Sequence, residues 1–307
     1  MDTNIRVRNC PSCNSGDHSQ LLFKQNIDKS KLNAYSYASR KIPEFMNFNL
    51  VCCPICDLLY VSEFFDLDAS LDQAYNTAEY DSNEEAIYAA KTYAQALVTK
   101  ISKLNTYDSA LEIGTGNGAF LSELLDLKFQ NVVGVEPSIS AANCASAEIR
   151  KLIRVEMFAV ENFEPESFDL VIICQTLEHL EDPLSFIDSA YKLLKTGGML
   201  MVVSHNYRHW LMRVLGARSP IIDIEHFQLF SPQSLEFIIR KCKFSNIEIT
   251  SLKNGYPLHY WTKLLPIPLS IKKSCLKFMK NNSWGRIIAN RVIHASVGNM
   301  VAFARKV

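Results

Sequence analysis

Leu111–Phe120, LEIGTGNGAF, decides how the rest of the chain is read. A short apolar strand runs into a tight turn carrying Gly114, Gly116 and Gly118, and the turn opens into a helix that begins AFLSELL. Glycines permit positive φ and remove Cβ atoms, so the backbone can press against a ligand while the helix N-terminus offers free N–H groups. Such a turn builds a nucleotide site or simply a strand-to-helix corner. The glycines by themselves do not separate these readings, so the surrounding pattern has to.

Around this turn strand and helix alternate, which predicts a parallel sheet wound by helices. Strand one is Ala110–Ile113, and the helix after it carries Phe120, Leu121, Leu124 and Leu125. Strand two, Asn131–Val135, ends in Glu136-Pro137-Ser138. Glu136 lies 20 residues beyond Gly116, where an acid can accept hydrogen bonds from both hydroxyls of a ribose held at the first turn. Its alternative role is to cap a helix. Strand three falls within Ile153–Met157, and strand four is Phe168–Cys174. The following helix has Asp182 as N-cap, Pro183 at its first position, an inner face of Leu184, Ile187, Tyr191 and Leu194, and Gly197-Gly198 as its stop. Met199–Val203 forms strand five, and Asn246–Thr250 and Asn299–Ala304 read as the last two strands.

The 307 residues suit one full α/β domain plus a smaller attachment, and 48% hydrophobic residues can fill a sizeable core. Basic and acidic residues balance at 32 each, so a charged partner must be recognised by a local patch. The opening MDTNIRVRNC lacks an apolar core of signal-peptide length, and no apolar run approaches the ~20 residues of a membrane-spanning helix, so a cytoplasmic protein is expected.

Nine cysteines are many for a reducing compartment, and four of them form matched turns: Cys10-Pro-Ser-Cys13 and Cys53-Pro-Ile-Cys56. Each turn presents two thiolates to one ion, which suits a closed tetrahedral zinc site that holds fold rather than doing chemistry. Four reduced, buried cysteines are the alternative. Cys52 could replace Cys53 as ligand. The long interval between the turns needs a small insert, with strands around LLFK and NFNLVCC. Residues 1–65 therefore read as a zinc-binding unit, 66–107 as a helical connector and 108–307 as the main domain. In the connector Ile87, Ala90, Tyr93, Ala94, Leu97 and Ile101 make an apolar stripe, while Tyr75, Tyr80 and Tyr88 either join the core or cover a pocket.

LEIGTGNG, GVEPS, FDLVIICQTLEHLEDP and LLKTGGMLMVV, in that order across about residues 108 to 205, resemble the class I S-adenosylmethionine-dependent methyltransferases. The paired C-x-x-C turns and EHFQLFSPQSLEFIIRKCKF resemble the zinc-knuckle methyltransferases of bacterial sugar and cell-surface glycan pathways. The resemblance implies an α/β, Rossmann-like seven-stranded methyltransferase sheet with the last two strands paired antiparallel. It also implies S-adenosylmethionine as cofactor, with Glu112, Gly114, Thr115, Gly116 and Gly118 around its methionine portion and Glu136 and Pro137 at its ribose. Family members often place an acid near the adenine after strand three; Phe158-Ala159-Val160 stands there instead, leaving Val160 a backbone contact. Gln175 to Leu177 would line the gap between cofactor and acceptor.

Past strand five the sequence turns basic and aromatic, with no acid from His205 to Ile222. Arg208, His209 and Arg213 are the candidate substrate contacts, because Arg suits phosphate through paired N–H donors; a solvated helix face is the alternative. His205, Tyr207, His209 and His226 are the candidates for a base. Ser231 caps and Pro232 opens a further helix. Residues 251–298 hold eight Lys or Arg and no Asp or Glu, and LPIPLSIKKSCLKFM interleaves apolar with basic positions. An interfacial helix near anionic lipid, at the membrane periphery, and a packed cover over the site are both open readings.

Methyl transfer to a small acceptor, such as a nucleotide- or lipid-linked sugar or related glycan intermediate, is the leading expectation. A catalytically silent cofactor-binding module is the first alternative. An NAD-dependent oxidoreductase is disfavoured, since a dinucleotide turn spaces its glycines G-x-G-x-x-G and this one reads G-x-G-x-G. Nucleic acid is not expected as a partner, because the zinc unit lacks a strong basic cluster.

Overall fold

The computed structural model describes residues 5–16, 19–28, 30, 45–65, 83–102, 104, 107–265 and 269–307. The first part of the connector, with Tyr75 and Tyr80, lies outside the described residues. In chain order the elements are β1 (Ile5–Val7), β2 (Gln20–Phe23), β3 (Leu50–Cys52), β4 (Leu59–Val61), β5 (Glu63–Phe65), α1 (Asn83–Ile101), β6 (Ser109–Ile113), α2 (Ala119–Asp126) and β7 (Asn131–Val135). They continue with α3 (Ile139–Asn143), α4 (Ala147–Arg150), β8 (Ile153–Arg154), β9 (Phe168–Cys174), α5 (Pro183–Leu193), β10 (Leu194–His205), α6 (Trp210–Leu215), β11 (Gln228–Leu229) and α7 (Pro232–Lys241). The chain closes with β12 (Ser245–Pro257), α8 (Leu258–Leu264), α9 (Leu269–Asn281), α10 (Ser283–Ala289) and β13 (Val292–Arg305).

Seven strands form one sheet in the order β12-β13-β10-β9-β6-β7-β8. β8, β7, β6, β9 and β10 are parallel, and β13 joins β10 and β12 antiparallel. The strands are apolar on both faces because both are covered. Leu111, Ile113, Val171, Ile173, Leu200 and Val202 pack with α5 and α7 on one side. Ala110, Leu170, Ile172, Met199, Met201 and Val203 pack with α1 and α2 on the other. This alternation fixes register, since a one-residue slip would exchange the two core faces. Successive connections leave β6 in opposite directions, towards β7 and towards β9, so the carboxyl ends of these strands border the crevice where ligands bind in doubly wound sheets.

β7 and β9 have the expected boundaries, and Asp182 caps α5 through a bond from the Ser185 N–H (3.1 Å) with Pro183 at the first turn. Three expectations shift. Strand three shortens to two residues at the sheet edge, where a single neighbour supports it. Gly197 and Gly198 do not stop α5; the helix ends at Leu193, and the glycines fall in an irregular stretch of β10, where Gly197 has φ +80° and its N–H bonds Lys306 O (2.8 Å). The last two strands run well beyond their expected ends, because β12 and β13 pair with each other as far as Pro257 and Val292. In α1, Ile87 is exposed while Ala90, Tyr93, Ala94 and Leu97 enter the core.

The amino-terminal segment is built into the main domain. β11 extends its sheet in the order β11-β4-β3-β2. Met46, Phe48, Leu50, Leu59 and Val61 share an apolar core with Tyr207, Met212, Ile221, Ile222, Phe227 and Leu229. Arg8 bonds Val61 O (2.7 Å), Phe227 O (2.6 Å) and Glu181 O (2.9 Å), tying the chain start to both sides of this seam. No helix among the described residues is long and apolar enough to cross a membrane.

Candidate functional site

Gly114, Gly116 and Gly118 all adopt positive φ, at +77°, +57° and +70°. At Gly114 a side chain is excluded twice over. The backbone is left-handed, and a Cβ would stand 2.4 Å from Thr176 Oγ1, which is itself held by Ile113 O and Cys174 O. Gly114 and Thr115 both donate their N–H to Val135 O (2.9 and 3.1 Å), locking the turn onto the end of β7.

Two carboxylates flank the turn. Glu112 is 3% exposed and accepts the Thr115 hydroxyl (2.5 Å); Glu136 is 9% exposed and accepts the Gly116 N–H (2.8 Å) and the Ser138 N–H (2.8 Å), one on each oxygen. Burial pushes Glu112 up to about 8, opposed by the Thr115 hydroxyl and reinforced by the Glu136 charge. Burial also raises Glu136, against the pull of its two backbone N–H donors. Each Glu136 oxygen keeps lone-pair capacity for a further donor. Pro137 and Val160 are half-buried beyond β7 and β8.

The floor continues at the end of β9. Gln175, a non-glycine residue, has φ +50°, and its N–H bonds Val203 O (2.7 Å); such conformers cost ~1–3 kcal/mol and persist where the surroundings enforce them. Leu177 is fully buried. Glu178, which the sequence reading did not single out, is 0% exposed. Its Oε1 accepts the Ser204 hydroxyl (2.7 Å) and the His205 N–H (2.8 Å), while Oε2 is buried with no hydrogen-bond partner. A buried carboxylate oxygen without a donor is rare in a finished core and fits a surface that meets a ligand.

His205 and His226 come together, with rings 5.6 Å apart, and His179, also missed, lies tilted 4.8 Å from His226. His205 Nδ1 lies 2.8 Å from Asn299 Oδ1. An amide oxygen only accepts, so Nδ1 carries a proton, and in the neutral ring Nε2 is the nitrogen that keeps its lone pair. The Asn299 orientation is set in turn: its Nδ2 donates to Asn254 Oδ1 (3.1 Å), and Asn254 Nδ2 donates to the Tyr256 hydroxyl (3.2 Å).

The other predicted residues turn elsewhere. Tyr207 is buried, and its hydroxyl donates to Asp57 (3.0 Å) beside Cys52 Sγ (3.4 Å); burial, then Cys52, drives its acidity far below that of an ordinary phenol. Arg208 is ion-paired with the Asp57 carboxylate. His209 Nδ1 accepts the Leu211 N–H (3.4 Å) at the start of α6, and burial lowers its pKa. Arg213 is exposed.

Cys10, Cys13, Cys53 and Cys56 converge so that their sulfurs all lie within 4.8 Å of one another, with Cys10–Cys56 at 3.4 Å and Cys13–Cys53 at 3.5 Å. A tetrahedral zinc with Zn–S of ~2.3 Å needs sulfurs roughly 3.8 Å apart, so the four thiols fit that ion. The separations exceed the S–S bond of a disulfide, ~2.05 Å. Cys52 is excluded from the set by direction, since its thiol faces Tyr207, Asp57 and Arg208.

A parallel sheet of this order with a strand-capping glycine turn, two buried acids at its rim and an antiparallel β13 defines a Rossmann-like methyltransferase fold. Residues 84–249, more than half of the chain, match the family model described as a methyltransferase domain, and the chain belongs to that family. Among curated proteins it is similar to ubiquinone biosynthesis O-methyltransferase of Idiomarina loihiensis, 31% identical over 155 residues, 46% of this chain and 63% of the relative. The Pseudomonas putida (strain F1) enzyme of the same name is 32% identical over 119 residues, 35% and 49% of the two chains. The chain thus spans less than two thirds of the length of these relatives. Among solved structures, a SAM-dependent methyltransferase from Thermotoga maritima is 22% identical with a TM-score of 0.46, covering 73% of this chain and 92% of its own. Haemonchus contortus phosphoethanolamine N-methyltransferase 2, in complex with S-adenosyl-L-methionine, is 17% identical with a TM-score of 0.49, covering 80% and 62%.

Proposed function

We propose that this chain transfers the methyl group of S-adenosylmethionine to a hydroxyl of a small acceptor, a nucleotide- or lipid-linked sugar or related glycan intermediate. The observation that carries the cofactor assignment is the pair of buried carboxylates around the glycine turn. Glu136 suits the ribose of either cofactor, but a nicotinamide dinucleotide would bring its pyrophosphate against Glu112 at the glycine turn, whereas the sulfonium and ammonium of S-adenosylmethionine bring the positive charge that this acid needs. When bound, the cofactor supplies a methyl group on a positively charged sulfur, already activated for transfer.

The chain's own residues then hold and orient. Glu136 binds ribose hydroxyls through the remaining lone pairs of a carboxylate that backbone N–H groups keep fixed, and Glu112 faces the cationic methionine portion. Gly114 keeps the turn open against Thr176, and Gln175 to Leu177 close the floor and exclude water. His205 takes the acceptor proton on Nε2, with the ring held in that tautomer by Asn299. The names of the two curated relatives given above, both O-methyltransferases, support a hydroxyl as the methylated group. Zinc at Cys10, Cys13, Cys53 and Cys56 is part of the proposal as a structural ion.

Titration calorimetry with S-adenosylhomocysteine and with NAD tests the cofactor. Binding of the first alone is expected, and silence with both would sink the methyltransferase reading. Labelled S-adenosylmethionine offered with nucleotide-linked sugars, lipid-linked intermediates and polyprenylated phenols then identifies the acceptor.

A further inference from the structure

We propose that the helical cap carried by the β12–β13 hairpin docks on the surface of an anionic phospholipid bilayer. This goes beyond methyl transfer and stands independently of it. The cap comprises α8, α9 and α10, between Pro257 and Val292. It is fixed to the body at its base, where His259 bonds Glu84 of α1 (2.8 Å) and Trp261 Nε1 donates to Ile293 O (2.9 Å), while His259 also ties α8 to α10 through Ala289 O (3.0 Å).

α10 is turned inside out. Trp284, Ile287 and Ile288 occupy one helical face and are exposed, Trp284 by 74% and Ile287 by 68%, while the inner positions are Gly285 and Ala289. Small residues serve the inner face because α10 lies against α9 closely; a Cβ on Gly285 would come within 2.5 Å of Phe278 O. On α9 the exposed apolar side chains are Ile271 and Phe278, again at helical spacing. Monomeric surfaces scatter such residues singly, and a cluster of bulky ones on two packed helices marks a partner.

Charge selects the partner. The segment 251–298 holds a quarter of the chain's basic residues and none of its acids, although the whole chain is neutral. Lys273, Lys277, Lys280, Arg286 and Arg291 are all exposed beside the apolar side chains. At the base, Glu84 is met by His259 (2.8 Å) and by Lys263 (3.8 Å), and Glu85 lies against Tyr260. Apolar anchors among cations, with an indole near the edge, match the acyl-headgroup boundary of an anionic leaflet. A second copy matches poorly, because a two-fold axis would set cations against cations. Nucleic acid would leave Ile287, Ile288 and Trp284 in water.

Flotation of the full-length protein with vesicles tests this. The protein should float with equimolar phosphatidylcholine and phosphatidylglycerol and not with phosphatidylcholine alone. Lys277→Ala with Lys280→Ala should weaken the partition about tenfold or more. Trp284→Ser with Ile287→Ser should abolish it, while far-UV circular dichroism and S-adenosylhomocysteine affinity stay unchanged, since these side chains support no core. The proposal is overturned if the anionic vesicles do not retain the protein, if neutral vesicles retain it equally, or if the apolar variant still floats. It is equally overturned if ultracentrifugation finds a dimer that Trp284→Ser dissociates.

Discussion

Asp57, the residue after the last cysteine of the second knuckle, accepts a hydrogen bond from the Tyr207 hydroxyl at 3.0 Å. The same carboxylate pairs with Arg208, and its backbone oxygen takes the Tyr207 hydroxyl (3.0 Å) and the Ser231 hydroxyl (3.3 Å). Asp57 sits at φ +60°, a conformation the tight knuckle imposes on it. The proposed zinc site therefore holds in place the loop that leaves β10 beside His205. Arg208, expected from the sequence to meet substrate phosphate, instead has its charge engaged by this anchor.

Removing the metal should loosen that loop before it touches the cofactor. Purified protein is expected to carry one zinc per chain, and Cys10→Ser to lose it. Chelation should speed hydrogen exchange at 206–218 and raise the acceptor KM, with S-adenosylhomocysteine affinity kept within about twofold. Metal content clearly below one per chain, or unchanged in Cys10→Ser, would refute the zinc assignment. Tyr207→Phe, which removes one hydrogen bond to a charged group, should cost about 1.5–3 kcal/mol in denaturant unfolding.

Glu136 is expected to dominate cofactor affinity. Glu136→Ala leaves the Gly116 and Ser138 N–H groups without acceptors and removes the ribose contact, so affinity for S-adenosylhomocysteine should drop about 10- to 100-fold, the range of one charge-assisted hydrogen bond. Calorimetry reads this directly. An unchanged Kd would return Glu136 to a purely structural role at the turn.

Glu112 makes stability depend on pH. Unfolded, its carboxyl titrates near ~4.3. Folded, burial holds it up to about 8. Between those values the folded chain keeps a proton that the unfolded chain has lost, so stability of the ligand-free protein should fall as pH rises through this window. Glu136 is shifted in the same direction and adds to the slope. Urea unfolding across the window should show the decline, and Glu112→Gln should flatten it. A cationic ligand favours the charged carboxylate, so binding S-adenosylmethionine, with its sulfonium and ammonium, at neutral pH should release protons, seen as a buffer-dependent calorimetric heat.

The parts of this site that were legible in the sequence are local ones. β7 and β9 are short, mostly apolar runs followed by polar residues, and Asp182-Pro183 and Ser231-Pro232 carry helix starts in adjacent residues, so boundaries followed from short windows. Gly197-Gly198 misled for the same reason: a glycine pair looks alike at a helix stop and at an irregular strand, and only the neighbouring Lys306 decides. Tertiary partners were out of reach. Nothing around Asn299 signals that it would face His205, 94 positions earlier, and Glu178-His179 stood inside a motif read for Gln175–Leu177 alone. Direction was equally hidden for Cys52 and Cys53, which alternate across a strand end, one thiol to Tyr207 and the other to the four-cysteine cluster.

His205 and Asn299 together test the proposed chemistry. His205→Ala should lower kcat about 10²- to 10⁴-fold, the usual contribution of a positioned base, and leave S-adenosylhomocysteine binding intact. Asn299→Ala removes the acceptor that keeps the Nδ1 proton in place, so the ring can take either tautomer and turn. Its kcat should fall less than that of His205→Ala, and the pH–rate profile should move, while acceptor KM changes little. Asn299→Asp offers a charged acceptor at the same position, which favours the imidazolium, so the rising limb of the profile should shift to higher pH. A merely structural Asn299 would change stability without moving that limb. If His205→Ala keeps kcat, the base lies elsewhere among the clustered imidazoles, and His226→Ala becomes the decisive comparison, since its ring stands 5.6 Å from His205 and 4.8 Å from His179.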